Sequence, residues 1–125
     1  MIYIFSPKGV VILDNIEKAR LAVKASQDKK AQDPVILEIK DLTVIAEYFV
    51  VCSGESRTQV GAIANNVEEA LAKEGIKRRS IEGTDYNNWV LIDYGDVIVH
   101  IFENETRNYY ELEKLWLDAP RIDVE

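Results

Sequence analysis

Two apolar runs near the C-terminus, joined by a short turn, constrain the fold more than any other feature of the sequence. Trp89–Asp93 and Asp96–Phe102 are separated by Tyr94-Gly95, a two-residue connection with glycine that is typical of a β-hairpin. Side chains alternate along a strand, so one face of this hairpin carries only Val90, Ile92, Val97, Val99 and Ile101. The chain must therefore build a sheet whose core lies against that aliphatic face.

The segments before and after the hairpin predict an alternation of helices and strands. Asp14 is predicted to cap a helix that runs to about Lys30, and Ser56 to cap a second helix with an apolar stripe from Val60 to Leu71. The other predicted elements are three strands, at Val35–Ile39, Tyr48–Cys52 and Arg79–Glu82, and a last helix capped by Asn104 or Thr106. The apolar stripe of that last helix is Tyr109, Leu112, Leu115 and Trp116. We therefore predict an α/β fold: a mixed β-sheet of about five strands flanked by helices, with a C-terminal antiparallel hairpin plus helix.

The first thirteen residues contain two short apolar runs, Ile2–Phe5 and Val10–Leu13, around a Pro-Gly turn. They form either an edge hairpin or a poorly packed extension. The length of 125 residues corresponds to one domain.

Charge is distributed unevenly along the chain. Residues 1–62 hold eight acids and eight bases, so residues 63–125 carry the whole net charge of −7. Residues 80–125 alone hold eleven acids against three bases. A surface this acidic repels phosphate backbones, which argues against generic or sequence-specific nucleic-acid binding by this half. It favours attraction to a basic protein, unless the charge serves solubility alone.

Several classes of protein are excluded by composition. One cysteine and one histidine allow neither an internal disulfide nor a Cys/His zinc set. No apolar run approaches the roughly 20 residues that span a bilayer, and nothing resembles a secretory leader. We therefore expect a cytoplasmic protein with no membrane contact.

The second face of the hairpin is the candidate partner-binding site. It carries a tryptophan, two aliphatic residues, the only histidine and two acids at its end, which are Trp89, Leu91, Ile98, His100, Asp93 and Asp96. A turn at 94–95 pairs Trp89 with His100 and sets Asp93 against Asp96, whose carboxylates would repel each other. Apolar residues inside a charged rim are typical of a protein interface. The alternatives are that helices cover this face with His100 hydrogen-bonded inside, or that the acids and His100 hold a metal.

Two further segments carry weaker signals. Ser53-Gly54-Glu55-Ser56 joins a strand to a helix as phosphate-binding loops do, but it has one glycine and no lysine, and a tight turn capped by Ser56 also explains it. Cys52 and His100 form a nucleophile–base pair only if the fold brings them together, and a lone strand cysteine is more typical of a core. We predict no catalytic residue, no metal site and no cofactor.

Two long runs resemble a known family. W-V-L-I-D-Y-G-D-V-I-V-H spans Trp89–His100 and Y-E-L-E-K-L-W spans Tyr110–Trp116, with shorter matches at Asp41–Thr43, Ala46–Val50 and Glu82-Gly83. Together they resemble the ribosomal silencing factor family, also called RsfS or Iojap. Glu47 stands where many members have aspartate. The resemblance divides the chain into an N-terminal extension (1–13) outside it, a domain (14–120) and a C-terminal tail (121–125).

The resemblance implies a protein that is not an enzyme. Members bind the large ribosomal subunit through a small basic protein at the intersubunit face, the fourteenth protein of that subunit. They block subunit joining and so repress translation. The resemblance also implies a cytoplasmic protein, a homodimer when free, and a fold distantly like that of nucleotidyltransferases. On this interpretation Trp89 anchors the partner, while Asp93 and Asp96 meet its basic side chains.

The alternative is a nucleotidyltransferase-like enzyme that binds nucleotides or transfers phosphate. That chemistry needs carboxylates on adjacent strands to hold Mg²⁺. The segment Arg78–Glu82, which follows the long helix, lacks the paired aspartates that such a site uses.

Overall fold

The computed structural model describes residues 3–5 and 11–124. Its elements in chain order are β1 (Tyr3–Phe5), β2 (Val11–Leu13), α1 (Asn15–Gln27), β3 (Gln32–Glu38), β4 (Tyr48–Gly54), α2 (Arg57–Lys73), β5 (Ser80–Glu82), β6 (Trp89–Asp93), β7 (Val97–Glu103), α3 (Asn104–Tyr110), α4 (Leu112–Leu115) and β8 (Arg121–Ile122). Six strands form the main sheet in the order β5-β6-β7-β4-β3-β8. The predicted α/β fold with a mixed sheet is confirmed.

The centre of the sheet is the parallel pair β4 and β7. Their register runs from Tyr48 opposite Val97 to Gly54 opposite Glu103. The other neighbours in the main sheet are antiparallel. Residues 49–54 of β4 and 97–102 of β7 are buried. Both strands therefore need apolar cover on both faces of the sheet.

Helices α1 and α2 cover the first face. Both begin at the predicted caps, because the side chains of Asp14 and Ser56 accept hydrogen bonds from the backbone N–H of Glu17 (2.9 Å) and Gln59 (3.1 Å). The buried helix residues include Ala19, Ala22, Val23, Val60, Ile63, Val67 and Leu71. They pack in one cluster with the aliphatic residues of the hairpin, so the face that the alternation predicted as core is the core.

The C-terminal segment covers the second face. Glu111 takes a left-handed backbone conformation with φ of 48°, which ends α3 and divides the predicted last helix into two short ones. The chain then forms β8 at the edge of the sheet, where a tail was expected. The side chains buried or half-buried on this face include Leu37, Phe49, Val51, Ile98, Phe102, Leu112 and Trp116.

The turn of the hairpin differs by one residue from the prediction. The N–H of Tyr94 donates to the carbonyl oxygen of Val97 at 2.9 Å, so the two-residue loop is Gly95-Asp96. Gly95 supplies the positive φ of 90° at the first loop position. Asp93 stabilises this turn, because its Oδ1 accepts from the N–H of Gly95 at 2.7 Å.

This turn changes the partners across the hairpin. Asp93 lies opposite Ile98, and Trp89 lies opposite Phe102. The predicted pairing of Trp89 with His100 was therefore wrong, as was the opposition of the two acids with its repulsion. Partners move by two residues, so every side chain keeps its predicted face.

The strands β1 and β2 form an antiparallel pair, with Tyr3 opposite Leu13 and Phe5 opposite Val11. Of the two alternatives for the first two apolar runs, they correspond to a hairpin. Among the described residues they pair only with each other, and not with the edge of the main sheet. The predicted Pro-Gly turn lies outside the described residues.

Gly83 lies in the loop between β5 and β6, and a substitution there tests how closely this loop packs on β6. It has a φ of +87°, and a Cβ there would lie 1.9 Å from the carbonyl oxygen of Trp89. Gly83→Ala should lower the free energy of unfolding by roughly 2–4 kcal/mol, because a left-handed backbone and a clash with main chain combine. Urea denaturation measures this loss.

Gly75→Ala is the matched control. Gly75 has a similar φ of +76°, but nothing lies within 4 Å of a Cβ there. This variant should lose only about 1 kcal/mol, the cost of the backbone conformation alone. Equal losses in both variants would contradict the close packing of Gly83 on β6.

Candidate interaction surface

An aromatic cluster crosses the second face of the sheet from the interior to the surface. The ring of Trp89 is central, with its centroid 4.7 Å from that of Phe102 and 5.0 Å from that of Tyr110. On the inner side, Phe49 packs edge-to-face on His100 at 4.6 Å. The aromatic cluster comprises Phe49, Trp89, His100, Phe102, Tyr109, Tyr110 and Trp116.

His100 is a neutral hydrogen-bond acceptor inside this cluster. Trp89 Nε1 donates to His100 Nδ1 at 3.2 Å, which places the imidazole proton on Nε2. Only 4% of His100 is exposed, and its burial lowers its pKa to about 4. Among the described residues, none accepts a hydrogen bond from Nε2. A charged imidazole would also lose the bond from Trp89, so the folded state favours the neutral form.

Cys52 and His100 lie on neighbouring strands but on opposite faces of the sheet. Val51 is opposite His100 in the register, whereas Cys52 belongs to the core beneath α1 and α2. Burial raises the pKa of the Cys52 thiol to about 12. The fold therefore keeps these two groups from acting as nucleophile and base.

The segment Ser53–Ser56 is a capped turn. The N–H of Glu55 donates to Oε1 of Gln59 at 2.6 Å, and Ser56 caps α2. These contacts engage the N–H of Glu55 and the hydroxyl of Ser56, two groups that a phosphate-binding loop would present to its ligand. Of the two interpretations of this segment, the tight turn fits the geometry.

The four uncharged residues predicted to bind a partner differ in accessibility. Ile98 and His100 are buried, so they support the surface from below and offer a partner no contact area. Trp89 and Leu91 are half-buried and pack against the C-terminal segment. The alternative in which helices cover this face therefore describes much of the hairpin, and partner binding by these residues stays a prediction.

The two predicted acids lie at the turn, each with a different environment. Asp93 is half-buried and holds the turn, whereas Asp96 is exposed and its Oδ2 accepts from Asn15 Nδ2 at 3.3 Å. Within residues 3–5 and 11–124, no three His, Cys, Asp or Glu side chains are grouped as a metal site requires.

The same part of the chain contains no helix that is long and apolar enough to span a membrane.

Four exposed aromatic and leucine side chains lie on or next to the segment that carries the predicted apolar stripe of the last helix. Tyr109, Leu115 and Leu117 are at least three-quarters exposed and Tyr110 about half, and we call these four residues the apolar surface. The prediction that Tyr109 and Leu115 face the core was wrong, because the turn at Glu111 takes the stripe off a single face. The sequence contained a signal of this exposure, because consecutive apolar residues on a helix point in different directions and do not all face the core.

A groove of about 640 Å³ adjoins the apolar surface. Tyr86 lines it together with Tyr109 and Tyr110. Glu103 and Glu105 contribute carboxylates to the same groove, and Arg57 contributes a guanidinium. The aromatic rings therefore stand beside two carboxylates and one cation, and the excess of negative charge suits basic side chains.

Arg107 holds the C-terminal segment against the sheet. Its Nε donates to Oε1 of Glu113 at 2.9 Å. Its Nη1 donates to the carbonyl oxygen of Gln32 and the hydroxyl of Ser53, both at 3.2 Å, and its Nη2 to the carbonyl oxygen of Asp33 at 2.9 Å. One half-buried guanidinium thus joins β3, β4 and the start of α4, and it positions the apolar surface.

Protonation of His100 should destabilise the fold as the pH falls. Its pKa is about 4 in the folded protein and 6.5 in an unfolded chain, so the unfolded state binds more protons between these values. The contribution of the neutral imidazole to the free energy of unfolding is fully present above pH 6.5. It falls by about 1 kcal/mol per pH unit as the pH decreases from 6.5 to 4.

The matched variant is His100→Asn, whose amide oxygen accepts from Trp89 but does not titrate. Urea denaturation of both proteins at several pH values between 4 and 7 measures the difference in unfolding free energy. The carboxylates titrate in both proteins, so their contributions cancel in the difference between the two unfolding free energies. The advantage of the wild type should shrink as the pH falls, and a pH-independent difference would contradict a buried neutral imidazole.

Comparisons with known proteins identify the family of this chain. The family described as "Ribosomal silencing factor during starvation" matches residues 13–125. Ribosomal silencing factor RsfS of Halalkalibacterium halodurans is 45% identical over 113 residues, which cover 90% of this chain and 97% of that protein. RsfS of Bacillus subtilis is 42% identical over 106 residues, covering 85% of this chain and 90% of that protein.

A solved structure and a more distant relative agree with these matches. The crystal structure of a Chromobacterium violaceum protein superposes with a TM-score of 0.81 at 36% identity, over 83% of this chain and 87% of that one. A mouse protein named "Mitochondrial assembly of ribosomal large subunit protein 1" is 31% identical over 101 residues, which cover 77% of this chain and 43% of that protein. The family match, the relatives and the shared fold together place this chain in the ribosomal silencing factor (RsfS/Iojap) family.

Proposed function

We propose that this protein binds the large ribosomal subunit at the face that meets the small subunit, and that it blocks subunit joining by occupying that face. The partner on the subunit is the basic fourteenth protein, and the result is repression of translation in the cytoplasm. The observation that carries this proposal is the apolar surface beside carboxylates, in a chain of the ribosomal silencing factor family. The name of the mouse relative supports the large subunit as the target.

The apolar surface has the composition of an interface centre. Its two tyrosines lie on α3, Leu115 ends α4 and Leu117 follows it, and none of the residues of α3 and α4 is buried. Exposed apolar groups that cluster within one short segment indicate a binding site, whereas scattered ones do not. Beneath them, Trp89 packs on Tyr110 and is held by its hydrogen bond to His100. We therefore assign Trp89 and Leu91 to the support and inner margin of the interface.

The charge around this surface favours a basic partner. Residues 103–118 include five acids and only two bases. Arg107 pairs with Glu113 and Lys114 with Glu111, so the remaining acids, Glu103, Glu105 and Asp118, have no ion pair among the described residues. Asp93 and Asp96 lie at the hairpin turn, at the opposite end of β6 from Trp89, so their contact with the basic side chains of the partner is a separate part of the proposal. Exposed charges of this kind raise the association rate and select against acidic partners, more than they raise affinity.

In the absence of ribosomes, the same apolar surface would be shielded by a second copy of the chain in a homodimer.

Occupancy of the docking face requires no chemistry. The separation of Cys52 from His100 by the sheet removes the one nucleophile–base pair that the sequence suggested. The alternative of a nucleotidyltransferase-like enzyme predicts saturable binding of ATP with Mg²⁺, which a thermal-shift titration detects. We expect no saturable shift.

The apolar surface is tested by Tyr109→Ser combined with Leu115→Ser. Affinity for isolated large subunits, measured by co-sedimentation, should fall by about 2 kcal/mol or more, which is roughly thirtyfold, as for other interface hot spots. The free energy of unfolding should change by less than about 1 kcal/mol, because both side chains are exposed.

The control replaces two exposed residues of α2, on the other side of the sheet, by Asn65→Ser combined with Ala72→Ser. Its affinity should equal that of the wild type. Unchanged binding of the Tyr109 and Leu115 variant would show that the partner contacts another surface.

Inhibition by occupancy should be stoichiometric. In a reconstituted translation system, repression should rise until the protein equals the large subunits and should reverse on dilution. Subunits already joined into complete ribosomes should resist, since the docking face is covered. Strong inhibition at a small fraction of the ribosome concentration would mean that each molecule acts repeatedly, which contradicts a non-enzymatic mechanism.

A further inference from the structure

A compact group of cations interrupts the acidic half of the chain. Residues 63–125 contain seven lysines and arginines, and four of them lie within residues 73–79. Lys77, Arg78 and Arg79 are consecutive and exposed in the connection between α2 and β5, and we call them the basic corner. Glu74 is the only acid within residues 73–79. The corner therefore reverses the sign of the charge along this half of the sequence.

The basic corner is attached to the turn of the β6–β7 hairpin. The N–H of Arg79 donates to the carbonyl oxygen of Asp93 at 2.6 Å. The side chain of Arg79 lies beside Gly95, where an added Cβ would be 3.5 Å from Arg79 Cδ. The hairpin thus carries the basic corner at its turn and the aromatic cluster on Trp89 at the other end of β6.

The cations of the corner are differently engaged. Arg78 Nε contacts Oε2 of Glu68 at 2.9 Å, so part of its charge is compensated. Lys77 and Arg79 form no ion pair within residues 3–5 and 11–124. Because no described carboxylate pairs with them, these two side chains can meet an anion outside the protein.

We propose that the basic corner binds the phosphate backbone of ribosomal RNA next to the protein site. This inference rests on the proposed function, because the surface of a ribosomal subunit offers phosphate as its most abundant anion. Arginine pairs with phosphate through two parallel hydrogen bonds, and lysine does so as a point charge. At physiological salt, the electrostatic interaction of exposed charges is screened over about 8 Å. The basic corner can therefore bind RNA although the rest of this half of the chain is acidic. The contact is to backbone and reads no base sequence.

The salt dependence of binding tests the contact. Lys77→Gln combined with Arg79→Gln removes the two free cations and leaves the Arg78–Glu68 pair intact. Each phosphate contact contributes roughly 0.7–0.9 to the slope of log K against log salt concentration. The variant should bind isolated large subunits several-fold more weakly at low salt, with a slope shallower by between about one and two.

Lys24→Gln combined with Lys29→Gln is the matched control, since it removes two exposed cations from α1 and the turn that follows it. Its slope should equal that of the wild type. If the wild type fails to bind large subunits, the proposed function is wrong. If the wild type binds and the corner variant keeps both its affinity and its slope, only the RNA contact is wrong.

A photo-crosslinker distinguishes RNA from an acidic protein as the occupant of the corner. Lys77→Cys provides its attachment point, and the only native cysteine, Cys52, is fully buried and does not compete. In complexes with large subunits, the crosslinked product should be destroyed by ribonuclease. A product sensitive only to protease, or no product, would overturn the proposal.

Discussion

The pairing of β4 with β7 at the centre of the sheet is the constraint on which the rest of the structure depends. Both strands are buried on both faces, so the chain must supply two covering layers. The helices α1 and α2 provide 13 and 17 residues for one layer, whereas α3 and α4 provide only 7 and 4 for the other. A layer this thin leaves apolar edges uncovered. The apolar surface therefore lies on the second face, above the aromatic cluster.

Polar contacts hold the thin layer in place. Helices of four and seven residues are not stable by themselves, and neither α3 nor α4 buries a residue. Arg107 compensates for this by donating four hydrogen bonds to groups on β3, β4 and the start of α4. The bond from Trp89 to His100 orients the ring on which Tyr110 rests. The surface that we propose as an interface is thus positioned by directional bonds as well as by packing.

The hairpin of β6 and β7 connects the two proposed contacts with the ribosome. Its outer face supports the apolar surface and its acids, which suit a basic protein. Its turn lies beside Arg79, whose charge suits phosphate. Because exposed charges are screened within about 8 Å, regions of opposite sign on one small domain act independently. A protein with a net charge of −7 can then contact both components of a ribosomal subunit.

The sequence by itself determined the features that depend on near neighbours. The caps at Asp14 and Ser56 need a residue three positions away, and the aliphatic face of the hairpin follows from alternation alone. The turn was not determined, because loops at 94–95 and 95–96 both contain Gly95, and a side-chain bond to its N–H decides between them. The left-handed conformation of Glu111 and the hydrogen bonds of Arg107 decided the accessibility of the predicted site. Arg107 bonds to Gln32 and Asp33, which precede it in the sequence by 75 and 74 positions. No local pattern encodes bonds over such separations, so only the tertiary structure decided which apolar side chains a partner can reach.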